Sequence, residues 1–129
     1  MTIKEHPVSD RTAGPYALTT GPDGALWFTE YRADRIGRIT PDGRITEFPL
    51  PDRTARPHAV TVDGQGTAWF TEWGGNRIGT ITPDGSITTY DLPTPASEPH
   101  GITVGPDGAL WTALEIGALA RIAPTGETI

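Results

Sequence analysis

A chain of 129 residues holds one compact unit, so a single architecture has to account for whatever it does. Its 16 acidic residues outnumber 10 basic ones, the net charge is −6, and no two Lys or Arg residues adjoin, which excludes the basic footprint of nucleic-acid binding. Cysteine is absent, which removes disulfides, thiolate metal sites and thiol nucleophiles together.

The first ten residues contain Lys4, Glu5, His6 and Pro7 and no apolar run. They read as neither a secretion signal nor a membrane span, so a cytoplasmic location is expected. Residues 3–15, IKEHPVSDRTAGP, match residues 45–57, ITEFPLPDRTARP, at an offset of 42. They are therefore expected to form an outermost strand of their own. Four short strands follow, over residues 16–20, 25–30, 35–40 and 44–49. Gly-Pro-Asp-Gly at 21–24 and Pro-Asp-Gly at 41–43 separate them with tight-turn chemistry. The unit then recurs with the same period of 42, through Pro15, Pro57 and Pro99 and through Trp27, Trp69 and Trp111. The third copy drops one residue in a loop, after which Ile39, Ile81 and Ile122 still align.

Four strands and a recurring aromatic per unit of about 40 residues are the signature of a β-propeller blade. The expected fold is all-β: three four-stranded antiparallel blades, with residues 1–13 as a closing outer strand, 14–55 and 56–97 as the first two blades, and 98–129 as an incomplete third. Propellers need at least about four blades to meet around an axis. The ring is therefore expected to close by homo-oligomerisation, with six blades in a dimer or nine in a trimer. An open blade face of on the order of 500 Å² of apolar surface left wet would forfeit roughly 12 kcal/mol. The orphan strand at the start and the unfinished blade at the end fit one another, which makes a second copy of the chain the expected partner.

Several polar and aromatic residues stand at informative phases. His58 and His100 share one phase at the start of what should be the innermost strand of adjacent blades, so they are expected side by side at one mouth of the channel. Trp73 lies in a loop and reads as part of a binding face, whereas Trp27, Trp69 and Trp111 read as packing between blades. Glu30 and Glu72 are expected to pair locally, and His6 to lie on the surface.

The stretch ALWFTEYRADRIGRITPDGRITEFPLP at 25–51 resembles the blades of the virginiamycin B lyase, or streptogramin B lyase, family. The resemblance covers essentially the whole chain, although a family member is a single-chain propeller of seven blades. The opening TAGPYALT resembles the family's first blade and the remainder its last two. The resemblance implies that His58, in Arg56-Pro57-His58-Ala59, contacts substrate. It implies that Glu98 and His100, in Glu98-Pro99-His100-Gly101, are a Mg²⁺ ligand and the general base, and that Glu115 is the second Mg²⁺ ligand. It also implies that Tyr16 lines the pocket. The implied reaction is an elimination that opens the ester of a cyclic depsipeptide, with self-association as the partnership and no nucleic acid or membrane. These residue types suit the task, since histidine titrates near neutrality and carboxylates are the hard ligands Mg²⁺ takes. The alternative is a non-catalytic, self-assembling propeller that acts as a binding or structural scaffold.

Overall fold

Short β-branched and aromatic runs between Gly and Pro turns form strands wherever the sequence alternates them, and a computed structural model describes residues 1–123 in those terms. The first sheet is β1 (Pro15–Thr20), β2 (Leu26–Glu30), β3 (Arg35–Ile39) and β4 (Ile45–Pro49), hydrogen-bonded in that order. The second repeats it as β5 (Pro57–Val62), β6 (Ala68–Glu72), β7 (Arg77–Ile81) and β8 (Ile87–Asp91). The third comprises β9 (Pro99–Val104), β10 (Leu110–Leu114) and β11 (Ala118–Ile122), with β11 at its outer edge. All neighbours are antiparallel, as expected of propeller blades. The end of the expected incomplete third blade, residues 124–129, lies outside the described residues. Among the described residues no helix is long and apolar enough to cross a membrane.

The blades stack through two apolar seams. Trp27 and Ile36 of the first blade are buried with Val60, Ala68, Phe70 and Ile81 of the second. One repeat further on, Trp69 and Ile78 are buried with Leu110 and Ile122. The aromatic residue of β2 or β6 thus fills the gap to the following blade, as the repeat predicts. Among the described residues no blade follows Trp111, which is 37% exposed. Within each of the first two blades a phenylalanine lies flat on a glycine of the neighbouring strand. A Cβ on Gly37 would come within 2.1 Å of Phe28 Cζ, and one on Gly79 within 2.2 Å of Phe70 Cζ, so no larger residue fits either place.

Glu30 and Glu72 are fully buried and pair locally, as expected of their phase. Glu30 Oε1 accepts from Arg35 Nε at 2.8 Å, while Arg77 Nη1 reaches Glu72 at 3.4 Å and Asp52, from the preceding linker, at 2.7 Å. Burial, reinforced by the neighbouring Glu47 carboxyl, pushes Glu30 up to about 7. Burial raises Glu72 as well.

Residues 1–14 depart from expectation, because they form no strand. The sheet edge they are expected to join is that of another copy's last blade. Their placement nevertheless follows the repeat. His6 lies on Gly43 as Phe48 lies on Gly85, with closest approaches to a Cβ of 3.0 and 3.1 Å. Asp10 accepts from Thr12 N at 2.9 Å and Asp52 from Thr54 N at 2.8 Å, the same turn 42 residues apart. The segment therefore lies against the first blade in the position that β4 takes against the second. Smaller differences are turn residues: 25, 40 and 44, read as strand, belong to the connections, where Thr40 N donates to Arg44 O at 3.0 Å.

Candidate functional site

Each innermost strand carries a β-bulge at the same phase. The pairing of β1 with β2 jumps from Pro15↔Glu30 to Leu18↔Phe28, so that Tyr16 and Ala17 together oppose Thr29. The same irregularity sets His58 and Ala59 of β5 against Thr71, and His100 and Gly101 of β9 against Ala113. Bulges re-aim side chains and leave a residue unpaired. Here buried threonines satisfy the loose backbone. Ala17 N donates to Thr29 Oγ1 at 3.0 Å, and that hydroxyl donates to His58 O in the next blade at 2.8 Å. Ala59 N, Thr71 Oγ1 and His100 O repeat the relay at 3.0 and 2.8 Å. The bulge of one blade thereby sets the histidine backbone of the next.

Two residues upstream of each bulge the backbone is left-handed: φ is 69° at Gly14, 50° at Arg56 and 55° at Glu98. Glycine tolerates this conformation freely, whereas a side chain there is strained by roughly 1–2 kcal/mol. The second and third blades keep a long polar side chain where the first has glycine.

The bulged residues converge on His58. Its ring centroid stands 5.2 Å from Tyr16, 5.7 Å from Trp73 and 5.2 Å from His100, the last edge to face. His58 Nδ1 lies 3.0 Å from Arg56 O, and because a carbonyl only accepts, Nδ1 carries the proton of that hydrogen bond. His100 Nε2 lies 3.1 Å from Glu115 Oε2, and since a carboxylate only accepts, Nε2–H donates there and, in that neutral tautomer, Nδ1 keeps its lone pair. Glu115 is exposed, and its backbone N donates to Glu98 O at 3.2 Å, which brings the two expected metal ligands to neighbouring backbone positions.

The six residues singled out in the sequence are therefore gathered at one end of the innermost strands. Tyr16, His58, Trp73, His100 and Glu115 are linked by contacts, and Glu98 joins through its backbone. The described residues include no ready-made group of three or more His, Cys, Asp or Glu that could hold a metal. Two carboxylates with water completing the shell still match the donor type Mg²⁺ takes.

Tyr31 was not anticipated. Its ring stands 4.8 Å from His58 and 6.0 Å from Tyr16, with the Arg56 guanidinium 5.7 Å from its centroid. The signal was present in the repeat, because Tyr31, Trp73 and Glu115 share one phase of the 42-residue period. The mouth is thus built from three phases: 14/56/98, 16/58/100 and 31/73/115.

The family model for the virginiamycin B lyase family matches residues 1–122. A virginiamycin B lyase of Saccharopolyspora erythraea is 63% identical over 46 residues, 36% of this chain and 15% of the relative. Virginiamycin B lyase from Staphylococcus aureus superimposes with a TM-score of 0.95 at 46% identity, over 99% of this chain and 44% of that one. A catalytically inactive histidine-to-alanine form of the S. aureus lyase, with quinupristin, superimposes equally well, with a TM-score of 0.95 and 46% identity over 99% of this chain and 44% of its own. The chain thus spans less than half the length of these lyases.

Proposed function

The chain belongs to the virginiamycin B lyase family, and from that premise we propose that it supplies the site for a Mg²⁺-dependent elimination opening the ester of a cyclic depsipeptide. One observation carries the reading: His100, with Glu115 on Nε2, stands edge to face with His58 inside the aromatic cluster.

In this reading the rings of His58, Tyr16 and Trp73 hold the substrate and exclude water. His100 Nδ1 takes the carbon-bound proton α to a carbonyl. The electron pair of that C–H bond forms a C=C bond, and the ester oxygen leaves the adjacent carbon as a carboxylate. No water is consumed, so the linear product is an isomer of the ring. Glu98 and Glu115 are the residues that would hold Mg²⁺, which when bound would polarise a carbonyl oxygen as charge develops on it. The catalytically inactive histidine-to-alanine S. aureus lyase supports a histidine as the reacting group. The propeller that surrounds the site is completed by further copies of the chain.

Incubation of the protein with a type B streptogramin and Mg²⁺ tests the chemistry by product mass. A ring-opened isomer is expected, with its rate falling at least about 1000-fold in His100→Ala, within the range ascribed to a general base. Product heavier by one water, or an equal rate in His100→Ala, would refute the elimination. No product at all would favour the non-catalytic scaffold.

A further inference from the structure

The residue before the third strand of each blade is left-handed: φ is 54° at Asp34, 58° at Asn76 and 94° at Gly117. Glycine adopts that conformation freely, and Asp and Asn adopt it more readily than other side chains. The two side chains reach forward into the next blade. Asp34 Oδ1 accepts from Arg56 N at 2.8 Å, and Asn76 Oδ1 accepts from Ser97 N, beside Glu98, at 2.9 Å. Each brace therefore meets the following blade at its own left-handed elbow, Arg56 in one case and the residue before Glu98 in the other.

Arg56 needs such a brace. It carries a side chain at φ 50° and precedes Pro57, which favours extended backbone in the residue before it. With its N–H held by Asp34, the left-handed φ sets where its carbonyl points. That carbonyl accepts twice, from Trp73 N at 3.1 Å and from His58 Nδ1 at 3.0 Å. Asp34 makes no ion pair among the described residues, so its carboxylate serves here as a hydrogen-bond acceptor.

We infer that Asp34 is a positioning residue for His58: it holds Arg56 in the left-handed conformation, and the Arg56 carbonyl in turn holds His58 as the Nδ1–H tautomer, with Nε2 as the nitrogen that accepts. Tyr16, Tyr31, Trp73 and His100 meet the His58 ring through faces and edges, contacts that do not choose between its tautomers. The choice falls to the one hydrogen bond that the ring makes to the backbone. A carboxylate of the first blade thereby sets which nitrogen of the second blade's histidine accepts. The tautomer is a property of the free protein, whereas its bearing on substrate rests on the proposed elimination site.

The repeat itself supplies two substitutions that separate the acceptor from the backbone. Asp34→Asn keeps an acceptor, as Asn76 does, and Asp34→Gly keeps a backbone suited to positive φ, as Gly117 does, without a side chain. Nitrogen-15 NMR of the imidazoles reads the tautomer, and amide exchange reads the brace. His58 is expected to be Nδ1–H in the unmodified protein and in Asp34→Asn. In Asp34→Gly the Nδ1–H share is expected to fall at least about twofold, and the Arg56 amide to exchange at least roughly tenfold faster. With a type B streptogramin, the KM of Asp34→Gly is expected to rise about tenfold while kcat stays within about twofold, the pattern of lost substrate positioning. An unchanged tautomer and exchange rate in Asp34→Gly, the same losses in Asp34→Asn, or a shifted tautomer with KM unaltered overturns the inference. If the unmodified protein turns nothing over, the elimination reading fails, and the tautomer and the exchange rate still decide whether Asp34 sets His58.

Discussion

Glu98 is set apart by its backbone. A left-handed φ just before a proline is the place for glycine, and Gly14 takes it in the first blade. Glu98 bears the strain while its backbone O accepts from Glu115 N, and Arg56 bears it with a guanidinium over Tyr31. Strain of that kind persists where a side chain has work to do. Glu98→Gly is therefore expected to keep or raise stability by up to about 1 kcal/mol in urea unfolding, because relief of strain offsets the greater freedom of glycine in the unfolded chain. The same variant is expected to lose Mg²⁺ binding in calorimetry. A variant destabilised by several kcal/mol, or one that binds Mg²⁺ unchanged, would remove Glu98 from the ligand set. The two histidines were legible in the sequence because both fall at one phase beside Pro57 and Pro99. Tyr31 escaped because it follows Glu30 in a stretch that reads as strand end and turn. Only the 42-residue offset to Trp73 and Glu115 marks it.

At the scale of strands, the site depends on a device that periodicity does not announce. A bulge appears in a sequence as an ordinary alternating run, and only the register shift shows that Tyr16, His58 and His100 are turned toward the mouth. The threonines that support the bulges could be read as strand formers alone. Their burial with two hydrogen bonds each makes them positioning residues. Thr71→Val keeps the shape and strands both Ala59 N and His100 O, so it is expected to cost about 2–4 kcal/mol in urea unfolding, given about 1–3 for each unsatisfied buried group. Thr71→Ser retains the hydroxyl and is expected to cost under about 1.5 kcal/mol, the loss of one buried methyl. Equal costs for the two would place the stabilisation in packing and not in the relay. The strands themselves were legible to within a residue or so, because Pro-Asp-Gly turns and the aromatic phase mark each one. Residues 1–14 match 45–57 in sequence and take the same place against the following blade, yet they form no strand.

Across the whole molecule, the described residues carry exposed apolar side chains on both outer faces of the three blades, Leu18 at 64% on one and Leu119 at 72% on the other. Large open apolar faces on a small domain call for a partner. A head-to-tail contact between such faces generates a ring when the rotation closes. The proposed closure also bears on chemistry, because each added copy would bring another set of phases 14/56/98, 16/58/100 and 31/73/115 to the axis. Seven nonequivalent blades, as the resemblance implies for full-length relatives, would present one such site. A ring of identical units presents one per chain, with the same residues around a channel of different width. The most direct measurement is the particle mass in dilute solution by sedimentation or light scattering. Two or three chains per particle, independent of concentration over a wide range, is the expected result. A stable, monodisperse single chain would contradict it.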